Sequence, residues 1–190
     1  MTSLTDRFIQ ALAFAAELHR EQIRKGSGIP YVGHLLGVTS LALDYGADED
    51  EAIAALLHDA IEDQGGAATR EEIRRRFGDR VTAIVDGCTD AEVIPKPPWR
   101  ERKEAHLAHL RVASASVRLV SAADKLHNAL AILRDYRTKG EPLWERFRGG
   151  KDGTLWYYRT LVATFDEVGP AGLAAELRRT VAEIEALAAA

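Results

Sequence analysis

The chain has 190 residues, 46% of them hydrophobic and 28% charged, with a formal net charge of −4. This composition excludes collagen-like, low-complexity and disordered organisation, and the acidic balance argues against a broadly basic nucleic-acid binder. No apolar run approaches the roughly 20 residues of a bilayer span, no secretory signal opens the chain, and the single cysteine, Cys88, leaves no internal disulfide framework or cysteine-rich zinc site. A chain of this length buries roughly 70% of its unfolded surface, enough for a self-sufficient core. The expectation is one cytoplasmic domain over residues 1–190, with no membrane and no nucleic-acid partner; the sequence is silent on oligomeric state.

Alternating apolar and polar runs are nearly absent, so the chain reads as helix after helix. Phe8, Leu12, Ala15 and His19 line a first helix ended by Gly26 and Gly28. A second starts near Pro30, which suits a first helical turn, and buries Tyr31, His34, Leu35, Val38, Leu41 and Ala42. Asp48 and Glu51 form a capping box for a third, and Thr69 with Glu72 repeat that signal before a short charged helix. Another helix spans about Asp79 to Thr89, followed by an irregular connector marked by Pro95, Pro97 and Pro98. A charged helix runs from about Trp99 to Arg111. The next, from about Ser116 to Arg137, carries a core stripe of Leu119, Ala123, Leu126, Leu130 and Leu133. Two helices close the chain, from about Gly153 to Val168 and from Pro170 onward. The fold class is all-α, a helical bundle.

The strongest chemical signal is His58-Asp59-Ala60-Ile61-Glu62-Asp63. On a regular helix His58 shares a face with Glu62, and Asp59 with Asp63. The segment just before it, Ala52 to Leu57, is apolar on every side, so the carboxylates leave the core and are costly to bury unless paired or metal-bound. A bland reading stands beside this one: a helix end emerging into water at Gly65-Gly66. His34 lies on an apolar helix face, where a histidine is often just a satisfied core residue. Asp124 interrupts the long helix beside its leucines, with His127 and Asn128 one turn on. Together, two histidines and two aspartates from three helices suit a metal centre in a bundle core. Mixed nitrogen and oxygen donors without thiolate fit Mn²⁺, Fe²⁺ or Co²⁺ with open positions.

His34, His58-Asp59 and Asp124, in that order, resemble the signature of the HD-domain metal-dependent phosphohydrolases. The segment Arg24 to His34, the HDAIED run, Phe77-Gly78, the stretch Ile84 to Thr89 and Ala123 to Asn128 are similar to motifs of RelA/SpoT-type alarmone hydrolases, in the same order. The likeness covers about residues 8–135, with the helices of 153–190 expected to pack on that part, and it is to the small, hydrolase-only members. It implies one Mn²⁺ per chain, with Fe²⁺ or Co²⁺ possible, on His34, His58, Asp59 and Asp124. It implies Glu62 and Asp63 as the catalytic pair acting on water. Arg24, Lys25 and Asn128 would contact the nucleotide, Lys125 joining Arg24 and Lys25 in the cationic patch that a polyanionic substrate needs on an acidic protein, with Tyr157 in a matching aromatic segment, Trp156-Tyr157-Tyr158, whose other reading is helix packing. Where family members often carry arginine and threonine after Asn128, this chain has Leu130 and Ala131. The implied activity is hydrolysis of guanosine 3′-pyrophosphate alarmones to GDP or GTP and pyrophosphate. The alternatives are an HD-domain phosphatase for another nucleotide or a 2′-phosphorylated dinucleotide cofactor, a dimetal oxidoreductase using His106 and His109, and a non-catalytic nucleotide sensor. Arg74-Arg75-Arg76 reads as helix-surface pairing with Glu71 and Glu72, and Cys88 as a small buried residue.

Overall fold

The computed structural model describes residues 2–89, 95 and 97–189, so part of the proline-marked connector lies outside the described residues. Ten α-helices are present among them: α1 (Asp6–Leu18), α2 (Val32–Asp44), α3 (Glu49–Leu57), α4 (Ala60–Asp63), α5 (Ala67–Phe77), α6 (Asp79–Cys88), α7 (Trp99–Val112), α8 (Ala115–Lys139), α9 (Gly150–Val168) and α10 (Ala171–Ala189). A 3-10 segment, Glu141–Arg146, joins α8 to α9. The fold is all-α; an isolated bridge between Ile23 and Pro30 is the extended pairing among the described residues.

The hub is α3. Its residues Ala52 to Leu57 are fully buried, and it packs against α1, α2, α6 and α8. The reciprocal capping box fixes where it starts: the Glu51 backbone N–H donates to Asp48 Oδ1 at 3.0 Å, and the Asp48 N–H to Glu51 Oε2 at 2.9 Å. The long helix α8, capped by Ser114, crosses α2 and α6 and carries α10 on its far side. One apolar cluster runs continuously from Ala11 to Ile184, so α9 and α10 close the same core through Leu161, Phe165, Leu173 and Leu177. The α2–α8 crossing is close because residue 37 is glycine: a Cβ there would stand 2.2 Å from His127 Nε2.

Several local expectations change. The first helix stops at Leu18, and Gly26 and Gly28 are not its end but the tip of a loop, at φ +73° and +69°. The chain folds back on itself there, with the Arg24 N–H donating to the Ile29 carbonyl at 2.8 Å and the Tyr31 N–H to the Gln22 carbonyl at 2.9 Å. Thr69 does not cap α5, because its hydroxyl donates back to the Gln64 carbonyl. Gly66 takes the cap position. Leu130 points to water at 42% exposure while Ala129 is buried, so the core face of α8 runs through Leu126, Ala129 and Leu133. The 3-10 segment has no apolar periodicity to announce it, although Gly140 and Pro142 mark the stop of α8.

Candidate metal centre

The HDAIED run is not one helix. α3 ends at Leu57, the chain turns through His58 and Asp59, and α4 is a single turn. Neighbouring residues on a regular helix do not face each other. The break allows what the helix forbids, with Asp59 Oδ2 standing 2.9 Å from His58 Nε2. The expected shared stripe is therefore split. His58 and Asp59 face the centre, Glu62 is half-buried on α4, and Asp63 turns to the loop after α1, where it accepts a 2.7 Å hydrogen bond from Gln22 Nε2.

His34 comes from α2 and Asp124 from α8. Donor atoms of His34, His58 and Asp59 lie within 4.8 Å of one another, and Asp124 Oδ1 is 3.2 Å from His34 Nε2 and 3.7 Å from His58 Nε2. His34 Nε2 is 3.7 Å from Asp59 Oδ2. Such separations match donors sharing an ion with bonds of about 2.1 Å. The local hydrogen bonds agree. His58 Nδ1–H donates to the Ala55 carbonyl at 2.9 Å, which turns the Nε2 lone pair inward. That buried Nε2 has no hydrogen-bond partner, despite its closeness to Asp59. An orphaned buried nitrogen aimed at a carboxylate is what a divalent cation would resolve.

A second ring of groups holds these donors. Tyr31 OH donates to Asp59 Oδ2 at 2.5 Å, and His19 stacks on Tyr31 with centroids 5.4 Å apart. Asp124 accepts from Asn128 Nδ2 at 2.6 Å and from Lys125 Nζ at 2.7 Å. Gln22 is a hub, its Oε1 accepting from Gln64 Nε2 and lying 2.6 Å from His19 Nδ1. His127 Nδ1 lies 2.9 Å from His34 Nδ1.

Burial opposes charge at Asp59 and Asp124, yet the facing histidines, and Lys125 for Asp124, outweigh it and hold both carboxyls below the usual range. Burial likewise disfavours charge on His58, and the two carboxylates outweigh it. Asp63 differs: its side chain is exposed, yet partial desolvation of the carboxyl and the nearby Asp59 and Glu62 carboxylates raise its pKa, only partly opposed by Gln22. His127 is lowered to about 4 by burial, then by His34 and Arg24.

The other sequence candidates have different surroundings. Arg24 is half-buried and its guanidinium donates to Asn128 Oδ1 at 2.7 Å, while Lys25 is exposed on the same loop. Lys125 Nζ donates to Asp124 at 2.7 Å, and the Tyr157 and Tyr158 hydroxyls are near enough to act on its charge. Tyr157 is buried in an aromatic stack with Trp99, Trp156 and Tyr158, with Lys103 Nζ 5.1 Å from its ring centroid. His109 is exposed and bonds the Gly87 carbonyl at 2.9 Å, and neither it nor His106 joins a metal-holding cluster among the described residues. Arg74 pairs with Glu71, and Arg75 and Arg76 with Glu72. Cys88 packs near Ser121, and burial pushes its thiol up to about 11. Sequence reasoning assigned no role to Tyr31, Gln22 or His127. Tyr31 and His127 each stand three residues from a candidate ligand, the one available signal; Gln22 had none.

Comparison with known proteins shows the family. The HD domain family model matches residues 11–154. The guanosine-3′,5′-bis(diphosphate) 3′-pyrophosphohydrolase MESH1 of Drosophila melanogaster is 33% identical over 145 residues, 75% of this chain and 76% of that protein. A guanosine-3′,5′-bis(diphosphate) 3′-pyrophosphohydrolase of Aquifex aeolicus is 38% identical over 135 residues, but those are only 18% of its own length. Among solved structures, a metazoan ortholog of SpoT that hydrolyses ppGpp superposes with a TM-score of 0.77 at 28% identity, covering 95% of this chain and 96% of that one. The lmo0812 protein of Listeria monocytogenes EGD-e gives 0.69 at 29% identity over 80% of this chain and 97% of that one. Helical architecture, converging donors and matched sequence together place the chain in the HD-domain family of metal-dependent phosphohydrolases.

Proposed function

We propose that this chain hydrolyses guanosine 3′-pyrophosphate alarmones, ppGpp and pppGpp, to GDP or GTP and pyrophosphate, in the cytoplasm and with Mn²⁺ as the working ion. The observation that carries the reading is the convergence of His34, His58, Asp59 and Asp124 next to a cationic rim formed by Arg24. Two relatives supply the substrate: the similar Drosophila and Aquifex proteins are named for this reaction.

His34, His58, Asp59 and Asp124 would hold the ion, Asp59 oriented by Tyr31 and Asp124 by Asn128 and Lys125. A bound divalent ion lowers the pKa of water and offsets charge on a phosphoryl oxygen. The chain's own residues do the rest. Glu62 and, on the same turn, Asp63, which Gln22 holds beside the centre, orient the attacking water, and one of the two carboxylates takes its proton. Water adds to the phosphorus attached to the ribose 3′ oxygen, that P–O bond breaks, and the proton ends on the 3′ hydroxyl of the nucleoside diphosphate. Arg24 and Lys25 meet the phosphates as hydrogen-bond donors and charges, and Asn128, already bonded to Arg24, lies beside the ribose. Lys125 and Tyr157 are the further contacts assigned to the nucleotide in this reading.

The test is product analysis. Protein loaded with Mn²⁺ is incubated with ppGpp, and pyrophosphate is separated from orthophosphate, with Asp59→Ala as control. Pyrophosphate release that needs both the metal and Asp59 is expected. Orthophosphate as product, or cleavage of another nucleotide with ppGpp left intact, would overturn the substrate assignment.

A further inference from the structure

One ring next to the metal donors has no part in the chemistry above. His127 projects from α8 so that its Nδ1 stands 2.9 Å from His34 Nδ1, with ring centroids 4.9 Å apart. The other nitrogen of His34, Nε2, faces Asp124 and Asp59. A ligating Nε2 carries no proton, so the proton of a neutral His34 sits on Nδ1 and His34 is the donor. His127 Nδ1 is then an acceptor. Arg24, a group with donors only, brings a guanidinium nitrogen to 3.4 Å from the same His127 Nδ1. Two donors from different elements converge on one lone pair.

The pocket for this ring is built into the backbone. Gly37, one helical turn after His34, lies against the far edge of the ring, and an added Cβ would stand 2.2 Å from Nε2 and 2.3 Å from Cδ2. The space exists only because residue 37 has no side chain, and it fixes which edge of His127 faces His34. The contrast with His58 is informative, since its Nδ1–H goes to a backbone carbonyl. Metal-bound histidines are usually oriented by a carboxylate, a carbonyl or water. A neutral imidazole orients the ring without placing another negative charge beside it, which suits a centre that already holds two carboxylates.

We propose that His127 is a positioning residue: its Nδ1 accepts the Nδ1–H of His34, keeping that ligand's Nε2 on the metal donors, and shares the lone pair with Arg24, tying the Arg24–Lys25 loop to the ligand. The proposal rests on the reading of His34 as a metal ligand. It explains how the arginine that meets the phosphates and the histidine that would meet the ion, on neighbouring stretches of chain, share one anchor on the distant α8.

The experiment compares His127→Asn with His127→Gln, two amides of similar polarity. Asparagine sets an oxygen about where Nδ1 stood, whereas glutamine sets its oxygen about where Nε2 stood, toward Gly37. Metal-stripped protein is titrated with Mn²⁺, free ion being followed by electron paramagnetic resonance, and thermal unfolding without metal reports on the fold. Asparagine is expected to hold the Mn²⁺ dissociation constant within about threefold, and glutamine to weaken it about 10- to 100-fold, with similar metal-free unfolding midpoints. Equal weakening by both, or no change in either, overturns the proposal. If the glutamine chain does not fold, the asparagine arm decides alone, and tenfold weakening there overturns it. Failure of the unsubstituted chain to bind Mn²⁺ would instead strike the metal reading itself.

Discussion

Replacing Asp124 by asparagine separates what this carboxylate does for the fold from what it does for the ion. The substitution keeps volume and shape and removes one charge. Without metal, Asp124 is the partner of Lys125, 2.7 Å away, and the two side chains are only 9% and 18% exposed. Stripping one member of a buried pair costs about 3–5 kcal/mol, and the remaining exposure of Lys125 puts this case near 3 kcal/mol. Against that, the Asp59 and Asp124 carboxylates of metal-free protein repel each other, and removing one returns on the order of 1 kcal/mol. The net loss is about 2 kcal/mol, a fall of roughly 4–8 °C in unfolding midpoint for a chain of this size. Adding Lys125→Met should recover most of it, because no unpaired charge remains. Metal behaves differently. Mn²⁺ at a hundred times its dissociation constant stabilises the unsubstituted chain by about 2.7 kcal/mol, and neither variant should gain comparably. Calorimetric melts of the three chains with and without Mn²⁺ decide the matter. A metal-induced rise as large in Asp124→Asn as in the unsubstituted chain, or no recovery with Lys125→Met, would refute the reasoning.

Glu62→Gln leaves the donor set intact, so Mn²⁺ binding should stay within about twofold while turnover drops about 100- to 10,000-fold; retained turnover would show that Glu62 has no essential role. Asp63 must be a carboxylate to accept a proton, and partial desolvation with the neighbouring Asp59 and Glu62 carboxylates raises its pKa, so the acid limb of the kcat/KM profile is expected above the ordinary carboxylate range. Gln22→Leu removes the amide that holds that pKa down, and the limb should move to higher pH; a limb that stays in place contradicts Asp63 as the base. Gly37→Ala drives a methyl group to 2.2 Å from His127 Nε2, which should destabilise the chain by about 1–3 kcal/mol and weaken Mn²⁺ binding, both readable by melting and by metal titration.

Much of this centre could be read from sequence because its chemistry breaks the helical pattern. His34 sits among Leu35 and Val38, and Asp124 among Leu119, Val120 and Ala123, so each polar group stands out on a face that is otherwise buried. The capping box at Asp48 and Glu51 was equally visible, since it is a contact between residues three apart. What escaped depends on contacts the sequence does not place side by side. Gln22 reaches Asp63 across 41 residues, and His127 reaches His34 across 93. The fold-back after α1 is held by pairings such as Arg24 with Ile29 and Gln22 with Tyr31, and helical periodicity carries no trace of them. The break at His58–Asp59 was hidden for another reason. A continuous helix satisfies the local pattern, and the turn that lets adjacent residues face one centre leaves no mark in that pattern.

The most direct test of the central claim titrates metal-stripped protein with Mn²⁺ while bound ion and pyrophosphate release from ppGpp are followed together. Activity rising in proportion to occupancy, saturating at one ion per chain with pyrophosphate as the product, is the expected result. Saturation only at two ions per chain, or full occupancy without pyrophosphate release, would contradict it.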